Sequence, residues 1–125
     1  MLDAVCLGTN DLAKAGKFYD QVFACLGIIR RFENEVEIGY GKPQGPINFW
    51  VLTPYNKQQA THGNGSQVMF KATSAEQVQK FYQAGLQAGG SDEGAPGPRD
   101  YREGYYGAYL RDLDFNKLHI YTIIE

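Results

Sequence analysis

With 125 residues, 43% of them hydrophobic and 21% charged, the chain has the length and composition of one globular domain able to bury its own core. Its net charge of −2 and the lack of any run of basic residues give no electrostatic footprint for nucleic acid or an anionic membrane. No apolar stretch nears the ~18 residues of a membrane span, and the N-terminus lacks a signal peptide's basic region and long apolar run, so a cytoplasmic protein with no nucleic-acid or membrane partner is expected.

Val5, Cys6 and Leu7 make a short apolar run between turn residues, which predicts a strand. Leu12, Ala15, Tyr19, Val22, Phe23 and Leu26 then recur at spacings of three and four, the pattern of one apolar helix face, with Asn10 or Asp11 as the N-cap and Gly27 as the stop. Cys6 and Cys25 sit among apolar neighbours and read as reduced, buried thiols. Beyond Gly27 the period falls to two. Val36, Ile38 and Tyr40 alternate with Glu35, Glu37 and Gly39, and "GKPQGP" turns the chain into "INFWVLT" (47–53). His62, in the glycine-rich "THGNG", reads as an exposed linker residue.

The pattern then starts again. "AVCLGTNDLAKAGKFYDQ" (4–21) aligns without a gap on "QVMFKATSAEQVQKFYQA" (67–84), 63 residues on, matching Val5 to Val68 and the whole Lys-Phe-Tyr triplet. The second copy opens with the strand Val68–Phe70, followed by a helix whose Ser74 and Gln77 have capping-box spacing. Val78, Phe81, Tyr82 and Leu86 supply its apolar face, and Gly89-Gly90 end it. "YYGAYLR" (105–111) and "KLHIYTI" (117–123) flank "DLDFN", a hairpin turn. "SDEGAPGPRDY" (91–101) mixes glycine, proline and charge and reads as a mobile loop or lid. Each copy is thus a strand, a helix and up to three further strands. The expected fold is α+β, with two tandem βαβββ modules, about 1–61 and 64–125 joined at 62–63, curving around a shared cleft within a single domain spanning 1–125.

A duplicated βαβββ module of about 60 residues, with "GNGSQVMFKA" (63–72), "AGGSDEGAPGPRDY" (88–101) and "YYGAYLRDLDFNKLHIY" (105–121), resembles the vicinal oxygen chelate superfamily, in particular its glyoxalase, bleomycin-resistance and dioxygenase branches. The resemblance implies cleft-facing metal ligands, His, Gln or Glu, on the first and last strand of each module. Carried onto this sequence, those positions are Ala4, Trp50, Gln67 and His119, with Asn48 as the alternative to Trp50. Ala4 has no donor atom, and the chain has only two histidines, so Gln67 and His119 give at most two ligands where a catalytic zinc site usually draws three from the protein. No cofactor is therefore expected, a divalent metal on Gln67 and His119 being the weaker alternative. Relatives usually read Asp-Pro-Asp-Gly where this chain has Asp112-Leu113-Asp114-Phe115, so Asn116 or Asp114 is expected to take the glycine's positive φ unless the hairpin is longer.

The nine tyrosines, seven phenylalanines and one tryptophan are an aromatic surplus, and Tyr101, Tyr105, Tyr106, Tyr109 and Tyr121 crowd the second module beside Arg99, Arg102 and Arg111. β-propensity accounts for any single one of these tyrosines; together with arginine they have the make-up of a small-molecule pocket. The expected ligand-binding residues are Trp50, Gln67, Arg99, Tyr101, Tyr106 and His119; no residue is assigned a catalytic role. The resemblance leaves three functions open: binding of a small organic molecule in an aromatic cleft without metal; a metal-dependent lyase or isomerase related to lactoylglutathione lyase, or a dioxygenase-related enzyme; and an interaction subunit. A homodimer is implied in each.

Overall fold

The computed structural model describes all of residues 1–125. Its elements run β1 (Val5–Gly8), α1 (Leu12–Phe23) with a 3-10 turn (Ala24–Leu26), β2 (Ile29–Glu33), β3 (Glu37–Gly41), β4 (Ile47–Leu52), β5 (Val68–Lys71), α2 (Ala75–Gln87), β6 (Ser91–Pro98), β7 (Tyr105–Arg111) and β8 (Lys117–Ile123). The strands form two sheets of identical topology, ordered β1-β4-β3-β2 and β5-β8-β7-β6, so each half is a βαβββ module and the fold is α+β.

Local chemistry sets the helix ends. Asp11 caps α1 by accepting from the Lys14 N–H, and Gly27, at φ 70°, turns the chain out of the 3-10 segment. Ser74 caps α2 by accepting from the Gln77 N–H, while the Gln77 amide oxygen reaches back to the Thr73 N–H and its Nε2 donates to the Cys25 carbonyl of the other module. The capping residue thereby also ties the two halves.

One face of each sheet carries a helix, and the helices pack on each other, giving a single core of buried residues from both modules. Phe23 sits at the junction: its ring lies 4.9 Å from Phe49 in the first sheet and 5.4 Å from Phe70 in the second. The two Lys-Phe-Tyr triplets pack helix on sheet. Phe18, Tyr19 and Phe81 are fully buried, and the Tyr19 hydroxyl donates to Asp112 Oδ2 at 2.5 Å across the module boundary.

Three sequence expectations are corrected. Residues 91–98 are not a loop but the edge strand β6, where Pro96 and Pro98, lacking N–H groups, are tolerated because that side pairs with nothing. In the 112–116 turn Phe115 itself takes the positive φ, 65°. Asp112 holds that turn by accepting from the Asp114 and Asn116 N–H groups and from Asn116 Nδ2. Cys6 is exposed and only Cys25 is half-buried.

Candidate functional site

Strand alternation decides what the uncovered faces carry. In the second sheet, Val68 and Phe70 of β5, Ala108 and Leu110 of β7, and Leu118 and Ile120 of β8 face the helices as part of the core or packed against it. The alternate residues, Gln67, Met69, Tyr105, Gly107, Tyr109, His119 and Tyr121, take the other face. Six side chains line one pocket of about 350 Å³ there: Gln67, Met69, Tyr101, Tyr105, Tyr109 and His119.

His119 is the centre of this face and is itself 1% exposed. Its Nδ1 lies 3.0 Å from the Ala108 carbonyl, which only accepts, so Nδ1 carries the proton and Nε2 accepts from the Tyr105 hydroxyl at 2.6 Å. The imidazole stacks with Tyr105 and Tyr121 at interplanar angles of 8° and 11°, and meets Tyr109 edge-on at 4.0 Å. Gly107 makes room for it: a Cβ there would stand 2.9 Å from His119 Cε1. Burial, with the nearby charges of Arg99 and Lys117, lowers the His119 pKa and keeps the ring neutral. Burial raises the Tyr105 pKa, and burial with the Tyr101 hydrogen bond pushes Tyr109 up to about 12, so both phenols keep their protons at neutral pH.

The expected site residues separate. Gln67, Tyr101 and His119 come together in the pocket, and Arg99 stands at its edge with the guanidinium carbon 5.6 Å from the Tyr109 ring centroid. Tyr106 does not belong: as an even-numbered residue of β7 it faces the helices, and its hydroxyl accepts from Gln79 Nε2 of α2. Trp50 lies on the uncovered face of the first sheet, against Phe32 at 5.8 Å, and is no part of this pocket. Met69, Tyr105 and Tyr109 were missing from the expected set; the cross-strand register, which pairs His119 with Met69 on one side and Tyr109 on the other, places the first and last of these. A larger concavity of about 640 Å³, lined by Val36, Glu37, Leu52, Thr53, Pro54, Tyr55 and Lys57, has a single carboxylate and no histidine.

The register also fixes which positions of the two modules correspond. Cys6 pairs with Trp50 in parallel, as Met69 does with His119, while Ala4 and Gln67 each stand just before the first strand of their module. The four positions that the family resemblance implies for metal ligands are Ala4, Trp50, Gln67 and His119. The first two offer no lone pair, and both His119 nitrogens are already bonded within the protein. No three His, Cys, Asp or Glu side chains gather anywhere in the chain. The donor set does not fit a catalytic divalent ion.

Two sheets of order β1-β4-β3-β2 and its repeat, each with a helix on one face and an open second face, define the vicinal oxygen chelate class. Neither a scan of family models nor a search of curated proteins gives a match. Among solved structures, a glyoxalase/bleomycin resistance protein from Albidiferax ferrireducens T118 is 42% identical over 98% of each chain, with a TM-score of 0.87. A glyoxalase/bleomycin resistance protein/dioxygenase family enzyme from Burkholderia phytofirmans PsJN shares the fold at 22% identity over 98% of each chain (TM-score 0.77). So does a lactoylglutathione lyase from Agrobacterium tumefaciens at 18% identity, covering 98% of this chain and 92% of its own (TM-score 0.68). At 42% identity over nearly the whole of both chains, this protein belongs to the glyoxalase/bleomycin resistance protein family.

Proposed function

We propose that the protein binds a small organic molecule on the aromatic face of its second sheet, without the metal that related folds employ. The observation that carries this reading is the state of His119: with Nδ1 given to Ala108 and Nε2 to Tyr105, the ring serves as pocket wall. Around it, tyrosines and Met69 supply apolar area with polar tips, the make-up of ligand pockets. The exposure of Met69 (54%) and Tyr101 (65%) leaves that area in water until something covers it. No helix of the chain is long and apolar enough to cross a membrane. A cytoplasmic homodimer is part of the proposal.

Thermal unfolding with planar aromatic acids and glycopeptide antibiotics of the bleomycin type, each with EDTA and with Zn²⁺, Ni²⁺ or Mn²⁺, tests it. A ligand at 100 times its dissociation constant stabilises by about 2.7 kcal/mol. The expected result is a stabilisation that EDTA leaves intact; one that appears only with metal, or none with any ligand, would refute the reading.

A further inference from the structure

Resting on that reading, we infer that the ligand is a flat aromatic carboxylate, its ring against the tyrosine wall and its charge against Arg99 and Lys117. The chain's ion pairs engage Lys14, Arg30, Lys80 and Arg111 with Asp11, Asp20, Glu33, Glu76 and Glu93. Arg99 and Lys117 are in none of them, and both lie over a ring that lines this pocket: the Arg99 guanidinium carbon is 5.6 Å and the Lys117 ammonium 5.0 Å from the centroid of Tyr109. No Asp or Glu lines the pocket to neutralise them. Two unpaired cations around one aromatic site, with no acid of the protein's own, select an anion.

Arg99 is held in place rather than left in solvent. Nη1 donates to the Gly97 and Pro98 carbonyls, and Nη2 to that of Ala95. The guanidinium lies against Gly94 and Gly97 of β6, where a Cβ on Gly94 would come within 3.1 Å of Nη2 and one on Gly97 within 3.4 Å of Nη1. The glycines of this edge strand thus seat the cation. Those three bonds leave part of the guanidinium fork free for a carboxylate.

The hydroxyls add a donor. Tyr101 and Tyr109 stand 2.5 Å apart, so one proton is used between them and the other phenol keeps its O–H for an outside acceptor. Tyr105, by contrast, already spends its O–H on His119 Nε2. Flatness follows from the wall itself: Tyr105, His119 and Tyr121 are nearly parallel, and Tyr101 stands edge-on to Tyr105 at 79° with centroids 4.9 Å apart, a setting for stacked and T-shaped ring contacts. The lowered pKa of His119, to which both cations contribute, agrees with a positive potential inside the pocket.

Titration calorimetry of the intact protein with 2-naphthoate, 2-naphthalenemethanol and 2-naphthylmethylammonium separates charge from ring. Naphthoate is expected to bind at least tenfold tighter than the alcohol, and the ammonium weakest. In R99Q and in K117Q, each confirmed folded by circular dichroism, the acid-to-alcohol ratio is expected to fall several-fold toward one. An alcohol that equals the acid, or a ratio unchanged in both variants, would overturn the inference while leaving the small-molecule reading standing. If none of the three compounds binds, both fall.

Discussion

Where the second sheet carries His119, the first carries Trp50: each is the cross-strand partner of a first-strand residue, Met69 in one module and Cys6 in the other. The surroundings of the pair differ in kind. Trp50 lies against Phe32 and covers Gly39, whose Cβ would meet the indole at 2.7 Å, so the indole spends its area filling its own sheet. His119 is instead ringed by Tyr105, Tyr109 and Tyr121 and flanked by two unpaired cations. A duplicated skeleton has kept its helix-facing side and let the open sides diverge, one toward packing and one toward the recognition we propose. The helix-facing side is constrained twice over, because each module's apolar face buries part of the other's.

The largest effect that would break this comparison is expected from Phe23→Ala. The ring contacts both halves of the core, so truncation should cost about 3–5 kcal/mol. Urea unfolding followed by Trp50 fluorescence and by far-ultraviolet circular dichroism should shift as one transition; two separated transitions would mean that the modules do not share a core. Next come the matched tyrosines of the Lys-Phe-Tyr triplets. Tyr19→Phe removes a donor from buried Asp112 and is expected to cost about 1.5–3 kcal/mol. Tyr82→Phe loses only a bond to exposed Asp92 and should stay within about 0.5 kcal/mol in the same assay.

Gly107→Ala drives a methyl toward His119 Cε1 and the Ile120 carbonyl and should destabilise by about 1–3 kcal/mol, with loss of ligand binding. The smallest effect is a pH dependence. His119 is held neutral in the folded state, whereas in the unfolded chain it titrates at about 6.5. The unfolded state therefore binds more protons below that value, so this contribution to stability is whole above pH 6.5 and is lost as pH falls through it. Asp112, whose pKa burial raises, acts with the opposite sign, its contribution falling as pH rises through the folded value. It is common to wild type and His119→Phe, so the difference between their pH–stability curves isolates the histidine: it should be independent of pH above about pH 7 and change only as pH falls below that.

Much of this was legible in the sequence. Both helices, their caps and the strands 47–52, 105–111 and 117–123 follow from period and punctuation, because each buries one face against a helix. The edge strands were harder. β2 has little buried surface to impose a pattern, and β6 is built of Gly, Pro and acidic residues that read as loop until a paired neighbour supplies the hydrogen bonds. The positive φ at Phe115 is set by the Asp112 bonds around it, a tertiary matter. Within the site, the metal-ligand positions of the family located His119 and Gln67 but not the sheet face of Tyr106. Odd-numbered residues of β7 share the face of His119, which alternation through the 112–116 hairpin determines once its register is known.

On the proposed reading the second sheet's open face, not the first's, is the ligand site. Two residues report on it separately: the Met69 methyl in the pocket, and the indole N–H of Trp50, the only tryptophan, on the other sheet. We predict that titrating 2-naphthoate into the protein in EDTA moves the Met69 methyl and His119 ring resonances saturably and leaves the Trp50 indole resonance in place. A saturable shift of Trp50 with Met69 and His119 unmoved would contradict it.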